Sequence, residues 1–406
     1  MDKAAFQTIV DWMIDGARSA PGPTQLMTQA CERCLAAGLP LWRVGVFVWT
    51  LHPDMFGIAF FWRPGTDVTV GTADSDPVST PEFRRSPLAI LQETGREVRY
   101  RLDDPETKRF PFLDDMRAEG VTDYIALPLV FIQGSIQASS WTTREPGGFT
   151  DEHLDALRLL VRPLARLVEI INLRRTATTL LDTYVGNRAG ERILGGQIRR
   201  GHTETMQAAI WLSDLRGFTA LSDRLAPEIV VDILNRYFDC QVPVLRKHGG
   251  EILKFMGDGL LAVFPIARDG GNLAEVCGRV LDAAREARAG VGTMEYPHSE
   301  SVERFRFGVA LHIGGILFGN IGGSNRLDFT CIGPAVNLAA RLERLAGGLG
   351  RTVVASAAFA GASGGGWIEL GEFPIAGFSA PQRVCWTKRR PAEIGNRGSR
   401  LRAKPT

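Results

Sequence analysis

The 406-residue sequence is short of the features that would classify it quickly. It holds only six cysteines and six histidines. The cysteines have no disulfide-framework spacing, which argues against a small cross-linked secreted scaffold. Basic and acidic residues nearly cancel, 47 against 45, leaving a net charge of +2. No whole-chain field therefore favours nucleic acid or an anionic membrane. No apolar run approaches the roughly 20 residues needed to span a bilayer. The opening Met-Asp-Lys-Ala-Ala-Phe lacks the apolar core of a signal peptide. A reduced, cytoplasmic chain is the expectation. Cys31 and Cys34 do form a C-x-x-C, but no second pair follows. They fall in residues 25–37, which read as a helix, where a spacing of three only places both on one face. A redox or metal role is the less favoured reading.

What is present is ordinary for a globular protein, 45% hydrophobic and 23% charged, with length for two or three domains. The most informative stretch covers residues 207–265. Its first landmark is Ser213-Asp214-Leu215-Arg216-Gly217-Phe218-Thr219, after the apolar run 208–212. That run reads as a buried strand with Asp214 at its end. The second landmark is Gly257-Asp258-Gly259 between the apolar runs 252–256 and 260–264. Gly-Asp-Gly in that setting is a hairpin signal, with Asp258 at the tip. If the hairpin pairs beside the first strand, two carboxylates meet at one sheet edge. Keeping both ionised calls for a divalent cation, and oxygen-only ligands favour Mg²⁺ or Mn²⁺ with nucleotide phosphates. The Gly217 turn adds backbone N–H groups at a helix start, a phosphate cradle. Either aspartate alone would be read as a cap or turn residue.

Further on, residues 228–248 read as one amphipathic helix after Pro227 and residues 272–289 as another. Residues 307–313 read as a strand. The glycine-rich 314–322 is expected to form a hairpin, and residues 328–332 a strand. Residues 335–346 read as a helix, on which Asn337 and Arg341, four apart, share a face.

Together, 213–219, 249–264 and 330–343 resemble the motifs of the class III nucleotidyl cyclase catalytic domain, the family that makes cyclic AMP or cyclic GMP from the triphosphate. The resemblance covers residues 206–386. It implies a ferredoxin-like domain with a βαββαβ core, in an α+β chain. It implies that Asp214, Asp258 and the carbonyl of Leu215 hold two ions, Mg²⁺ or Mn²⁺. Gly217, Phe218 and Thr219 would cradle phosphates, and Asn337 and Arg341 would act on the ribose and the transition state. The base would be read by Lys254 and Thr330, a pair that resembles bacterial adenylyl cyclases. Lys is a donor matching the acceptor N1 of adenine, and Thr can accept from the exocyclic amine. ATP is the implied substrate, with a guanylyl cyclase and a catalytically silent nucleotide-binding or dimerisation module as the alternatives. Each site would lie between two chains, which implies a homodimer. The sequence departs from the family pattern at Pro334 and at Ala376, where many relatives have Lys. Arg383 is a candidate substitute.

Residues 1–150 read as an α+β sandwich similar to a GAF-type sensory domain, which implies a small-molecule effector. Helices are expected over 4–18, 25–37, 86–93 and 110–119, and strands over 41–50, 55–62, 121–130 and 131–142. Five of eight tryptophans fall there, Trp12, Trp42, Trp49, Trp62 and Trp141. Thr150 is a plausible N-cap for a long helix towards Tyr184. Leu157, Leu164 and Ile171 recur every seven residues, with Leu160 and Leu167 offset, so residues 151–201 read as a helical linker pairing with a second chain, with a single helix packed on its own domain as the alternative. Pro163 is expected to kink it. A cyclase domain over 202–387 follows, and a basic tail over 388–406 reads as solvated.

Overall fold

The computed structural model describes residues 1–74, 76, 80–294, 305–324 and 326–387. The basic tail lies outside the described residues. The chain divides into two compact units, Met1–Thr183 and Tyr184–Thr406.

Unit 1 contains α1 (Lys3–Ile14), α2 (Pro23–Ala36), β1 (Arg43–Trp49), β2 (Gly57–Trp62), β3 (Thr69–Ala73), α3 (Pro81–Arg84), α4 (Pro87–Thr94), β4 (Val98–Arg101), α5 (Asp114–Ala118), β5 (Asp123–Val130), β6 (Ile136–Thr143) and most of α6 (Asp151–Val185). The six strands form one antiparallel sheet in the order β3-β2-β1-β6-β5-β4. The period of two sorts β5 cleanly. Ile125, Leu127 and Leu129 pack with α1, α2 and α6, whereas Tyr124 and Ala126 pack with α4 and α5 on the other face. The sheet is thus covered on both faces, as an α+β sandwich requires. Cys31 and Cys34 are buried in α2, where burial raises both thiols. Strands β3 and β4 were not expected. Both are short edge strands of mixed polarity, Thr-Val-Gly-Thr-Ala and Val-Arg-Tyr-Arg, so neither has an apolar run to betray it.

Thr150 caps α6 by accepting a hydrogen bond from the His153 N–H at 3.3 Å. The helix runs 35 residues as one element through Pro163. Its heptad leucines differ from the expectation of an intermolecular seam. Leu157, Leu160, Leu164 and Leu167 are buried in the core of unit 1. The same 3.5-residue spacing serves either use, and the apolar sheet face on β1 and β5 claims it. Exposed large apolar positions on α6 include Leu159, Ile170 and Leu173.

Unit 2 contains α7 (Asn187–Leu194), β7 (Thr203–Leu215), α8 (Phe218–Ser222), α9 (Pro227–Asp239), α10 (Val242–Lys247), β8 (Glu251–Met256), β9 (Gly259–Ile266), α11 (Leu273–Thr293), β10 (Phe307–Gly322), β11 (Leu327–Ile332), α12 (Pro334–Gly348), β12 (Val353–Ser356), α13 (Ala357–Ser363), β13 (Trp367–Phe373) and β14 (Gln382–Thr387). The main sheet runs β13-β14-β12-β10-β7-β9-β8, with β11 paired to β10. Taking β7, β8, β9 and β10 as strands 1 to 4, the order β10-β7-β9-β8 is 4-1-3-2. Helices α9 and α11 pack on one face around Trp211, Tyr237, Phe264 and Val280. This is the expected βαββαβ core. The other face carries α12 and α7, packed on Ala208, Ile210, Val263 and Ile316.

Two expected elements differ. The helix over 228–248 is two helices, broken at Cys240 and Gln241. Pro243 lacks the N–H that would continue the first helix and sits instead in the first turn of the second. The expected hairpin over 314–322 is the continuation of a 16-residue β10, paired to β7 from Phe307↔Leu215 to Gly319↔Thr203. The turn comes later, before β11. The glycines serve close packing: a Cβ on Gly314 would lie 2.7 Å from that of Ala335, and one on Gly319 2.1 Å from the carbonyl oxygen of His202. Among the described residues no helix is long and apolar enough to cross a membrane.

Leu160→Ala should destabilise the protein by about 2–5 kcal/mol, the usual cost of a large-to-small change in a core. Chemical denaturation at two protein concentrations checks this. The loss should be the same at both, because Leu160 packs within its own chain.

Candidate active site

The site begins with strand register. Ser213 of β7 pairs with Leu260 of β9, and Met256 of β8 pairs with Gly259 across the hairpin. Asp214 is thereby set beside the turn carrying Asp258. Gly257 supplies the left-handed residue of that turn at φ +65°. A Cβ on Gly259 would lie 3.3 Å from the Ser213 carbonyl oxygen and 3.6 Å from Asp214 Oδ1, so the tip lies against the end of β7. The two carboxylates meet, as the hairpin pattern requires. Burial is the largest cause pushing Asp258 up to about 6, followed by its hydrogen bond to Asp214 and that group's charge. The N–H groups of Asp258 and Leu215 pull weakly the other way. A proton shared by two carboxylates is what a divalent cation would replace. The side chains that meet there offer only carboxylate oxygen. Among the described residues no group of three or more His, Cys, Asp or Glu side chains accompanies them. This composition fits a hard ion and excludes a thiolate or imidazole site.

The strand end is anchored from behind. Ser213 is buried and its hydroxyl donates to Gln241 Oε1 at 2.7 Å. Gln241 occupies the break between α9 and α10, so the break serves to fix the strand that carries Asp214. Sequence reasoning missed this residue; its signal was a polar Gln just before Val-Pro inside an apparent helix.

Gly217 adopts φ +80° and precedes α8. A Cβ there would meet nothing within 4 Å, so the turn is open on its outer side. Phe218 packs against the core and Thr219 is exposed.

Lys254 follows a bulge in the β8–β9 ladder, between Ile252 and Lys254. Such bulges re-aim a side chain. Here the exposed Lys254 ammonium is ion-paired with the Asp328 carboxylate on β11. Thr330 is two residues on from Asp328 and shares its face. Lys254 and Thr330 therefore serve one patch. Asp328 was also missed, although the period of two from Thr330 points to it. Cys331 faces the opposite way and is buried.

Asn337 and Arg341 are exposed on α12. Among the described residues neither makes a hydrogen bond or ion pair to Asp214 or Asp258. Pro334 is the first residue of α12, where its missing N–H costs nothing. Ala376 is exposed in the loop between β13 and β14, and Arg383 lies across from Glu372 on β14.

The raised Asp258 gives a pH prediction whose sign follows from linkage. In the folded chain Asp258 holds a proton between its ordinary 3.8 and about 6. Its contribution to stability is complete below the lower value and is lost as pH rises through the upper one. Thermal melts of metal-free protein should show this decline across that window. Asp258→Asn should remove it, and Mn²⁺ should restore stability to the parent above it.

Comparison with known proteins gives the geometry a family. Residues 202–360 match the family described as "Adenylate and Guanylate cyclase catalytic domain". The adenylate cyclase of Anabaena cylindrica is 30% identical over 154 residues, which are 36% of this chain and 29% of that protein. Adenylate cyclase 1 of Rhizobium meliloti is 34% identical over 154 residues, 36% of this chain and 22% of that protein. The chain thus spans less than a third of the length of either relative. Among solved structures, the adenylyl cyclase CyaB from P. aeruginosa aligns at a TM-score of 0.42 and 24% identity, covering 48% of this chain and 100% of that one. Over residues 202–360 the chain carries a catalytic domain of the adenylate and guanylate cyclase family.

Proposed function

We propose that the chain is an adenylate cyclase, converting ATP to 3′,5′-cyclic AMP and pyrophosphate. The observation that carries this reading is the meeting of the Asp214 and Asp258 carboxylates at the end of β7. Asp214, Asp258 and the Leu215 carbonyl would hold two Mg²⁺ or Mn²⁺ ions. Such ions, when bound, neutralise the triphosphate and acidify the ribose 3′-hydroxyl. The 3′-oxygen attacks the α-phosphorus in line and pyrophosphate leaves. The turn Gly217-Phe218-Thr219 receives phosphate oxygens on its backbone N–H groups. The Lys254 ammonium donates to N1 of adenine, and the Thr330 hydroxyl accepts from the exocyclic amine. Asn337 orients the ribose. Arg341 opposes charge growing on the phosphate, where positioning and electrostatics supply most of the rate.

The working unit is a homodimer with two shared sites. Both residue sets occur once per chain, and Asn337 and Arg341 stand exposed, with no hydrogen bond or ion pair to their own aspartates among the described residues. A second chain's aspartates are their partners in this reading. Against a guanylate cyclase, Cys331 is buried on the wrong face of β11 to read a base. The exposed Ala376, standing where many relatives have Lys, predicts modest triphosphate affinity.

We further infer that unit 1 is a GAF-like regulatory domain. Its support is an apolar cavity of about 710 Å³ whose lining includes Phe47, Trp49, Ile58, Phe61, Phe83 and Phe112. That lining suits a flat, largely apolar effector.

Purified chain with Mn²⁺ and ATP should yield cyclic AMP, and Asp214→Ala should yield none. Lys254→Glu should lower activity with ATP at least tenfold and raise the share of cyclic GMP formed from GTP. Cyclic GMP as the main product of the parent would overturn the base assignment. For unit 1, an apolar fluorescent probe should bind the parent, and Ala59→Trp, placed in the cavity wall, should weaken that binding. Equal binding by both would remove the effector pocket.

A further inference from the structure

Arg216 lies two residues beyond Asp214, and its guanidinium is ion-paired with Glu343 of α12. Its Nη1 sits 2.7 Å from Glu343 Oε1 on α12, and its Nη2 donates to the Glu343 carbonyl oxygen at 3.3 Å. Glu343 is 7% exposed in its side chain and Arg216 is 23% exposed. A buried carboxylate on an otherwise apolar helix face needs such a partner.

The path to Glu343 is cleared by two glycines. Gly308 of β10 stands opposite Asp214 in the β7–β10 ladder. A Cβ on Gly308 would lie 1.7 Å from Arg216 Nη2, and one on Gly347 would lie 2.9 Å from Nη1. Gly347 is four residues after Glu343, on the same face of α12. The guanidinium therefore occupies a slot between β10 and α12 that any side chain at Gly308 would fill. At its root, the Arg216 N–H donates to the Arg306 carbonyl oxygen at 2.8 Å, fixing where the side chain starts.

We propose that Arg216 and Glu343 are positioning residues: their ion pair holds α12 in a set relation to the Asp214 turn. This rests on the cyclase reading above. Glu343 is two residues from Arg341 and six from Asn337, so whatever fixes Glu343 fixes the helix that presents both. The aspartates of one chain and the α12 of the same chain serve different sites in the shared dimer. The pair therefore links the metal half of one site to the transition-state half of the other. Neither residue touches substrate, so the effect falls on turnover rather than binding.

Three variants test this in the full-length chain. Glu343→Gln removes the charge. Gly308→Ala expels the guanidinium with both partners still present. Glu343→Asp retains the charge on a shorter stem. For the first two, kcat with Mn²⁺ and ATP should fall by about tenfold to a hundredfold, the scale of an ångström-level misplacement. KM should stay within about threefold of the parent, and Glu343→Asp should recover part of the loss. Hydrogen exchange should rise in residues 334–348 at temperatures where circular dichroism shows the chain folded. Unchanged kcat in folded Glu343→Gln and Gly308→Ala would overturn the proposal. So would a kcat loss that merely tracks the unfolded fraction. If the parent makes no cyclic nucleotide, the cyclase reading fails separately. Exchange in residues 334–348 then decides the clasp alone: a rise confined to α12 supports it, and no rise overturns it.

Discussion

Two carboxylates held against each other at the end of a central strand are the constraint on which unit 2 turns. Leaving Asp214 and Asp258 together is unfavourable for a metal-free protein, and Asp258 responds by holding its proton up to about 6. The arrangement persists because each backbone is fixed by other means. Asp214 belongs to a strand paired on both sides, and its neighbour Ser213 is tied to Gln241. Asp258 sits in a turn whose flanking strands are paired and whose left-handed residue is glycine. Local strain of this kind is stored where surrounding structure over-determines it, and it marks sites that expect a ligand.

The two faces of the unit 2 sheet divide the labour. One face is an apolar core of α9, α11 and the inner residues of β7, β9 and β10, and it keeps the strands in register. The other face holds α12, close-packed through Gly314. Asp214 and Asp258 lie at strand ends, and Asn337 and Arg341 on the exposed side of α12. A rigid sheet presenting reactive groups at its rim meets the demand that a site be pre-organised to a fraction of an ångström. The short β11 extends this plan, since it brings Asp328 to the Lys254 ammonium and pairs to β10 off the main strand path.

Much of the site was legible in the chain because its signals are local. An apolar run ending in Asp, a Gly-Asp-Gly turn between apolar runs, and an Asn-to-Arg spacing of four each need only neighbouring residues to read. The βαββαβ core was implied by the family resemblance that these motifs carry. The errors share the opposite property. The edge strands β3 and β4 exist through pairing partners distant in sequence. The Cys240–Gln241 break reflects Pro243 together with a hydrogen bond to Ser213. The length of β10 is set by thirteen pairings to β7 rather than by its own glycine-rich residues. The leucines of α6 illustrate the ambiguity most plainly. Their spacing suits a coiled coil or a core equally, and only the adjacent sheet face decided that Leu157, Leu160, Leu164 and Leu167 are core.

The amino-acid sequence by itself marked the candidate residues for metal, phosphate and base, through local donor chemistry and a family resemblance carried by short motifs. It determined the strand and helix character of most of both units through the periods of two and 3.6. The tertiary structure alone decided which of these residues meet. It brought Asp258 to Asp214, Asp328 to Lys254 and Glu343 to Arg216. Contacts of that kind depend on strand register and on the space left by glycines at Gly308, Gly314 and Gly347. Both are set by packing across long separations in the chain, where no local pattern records them.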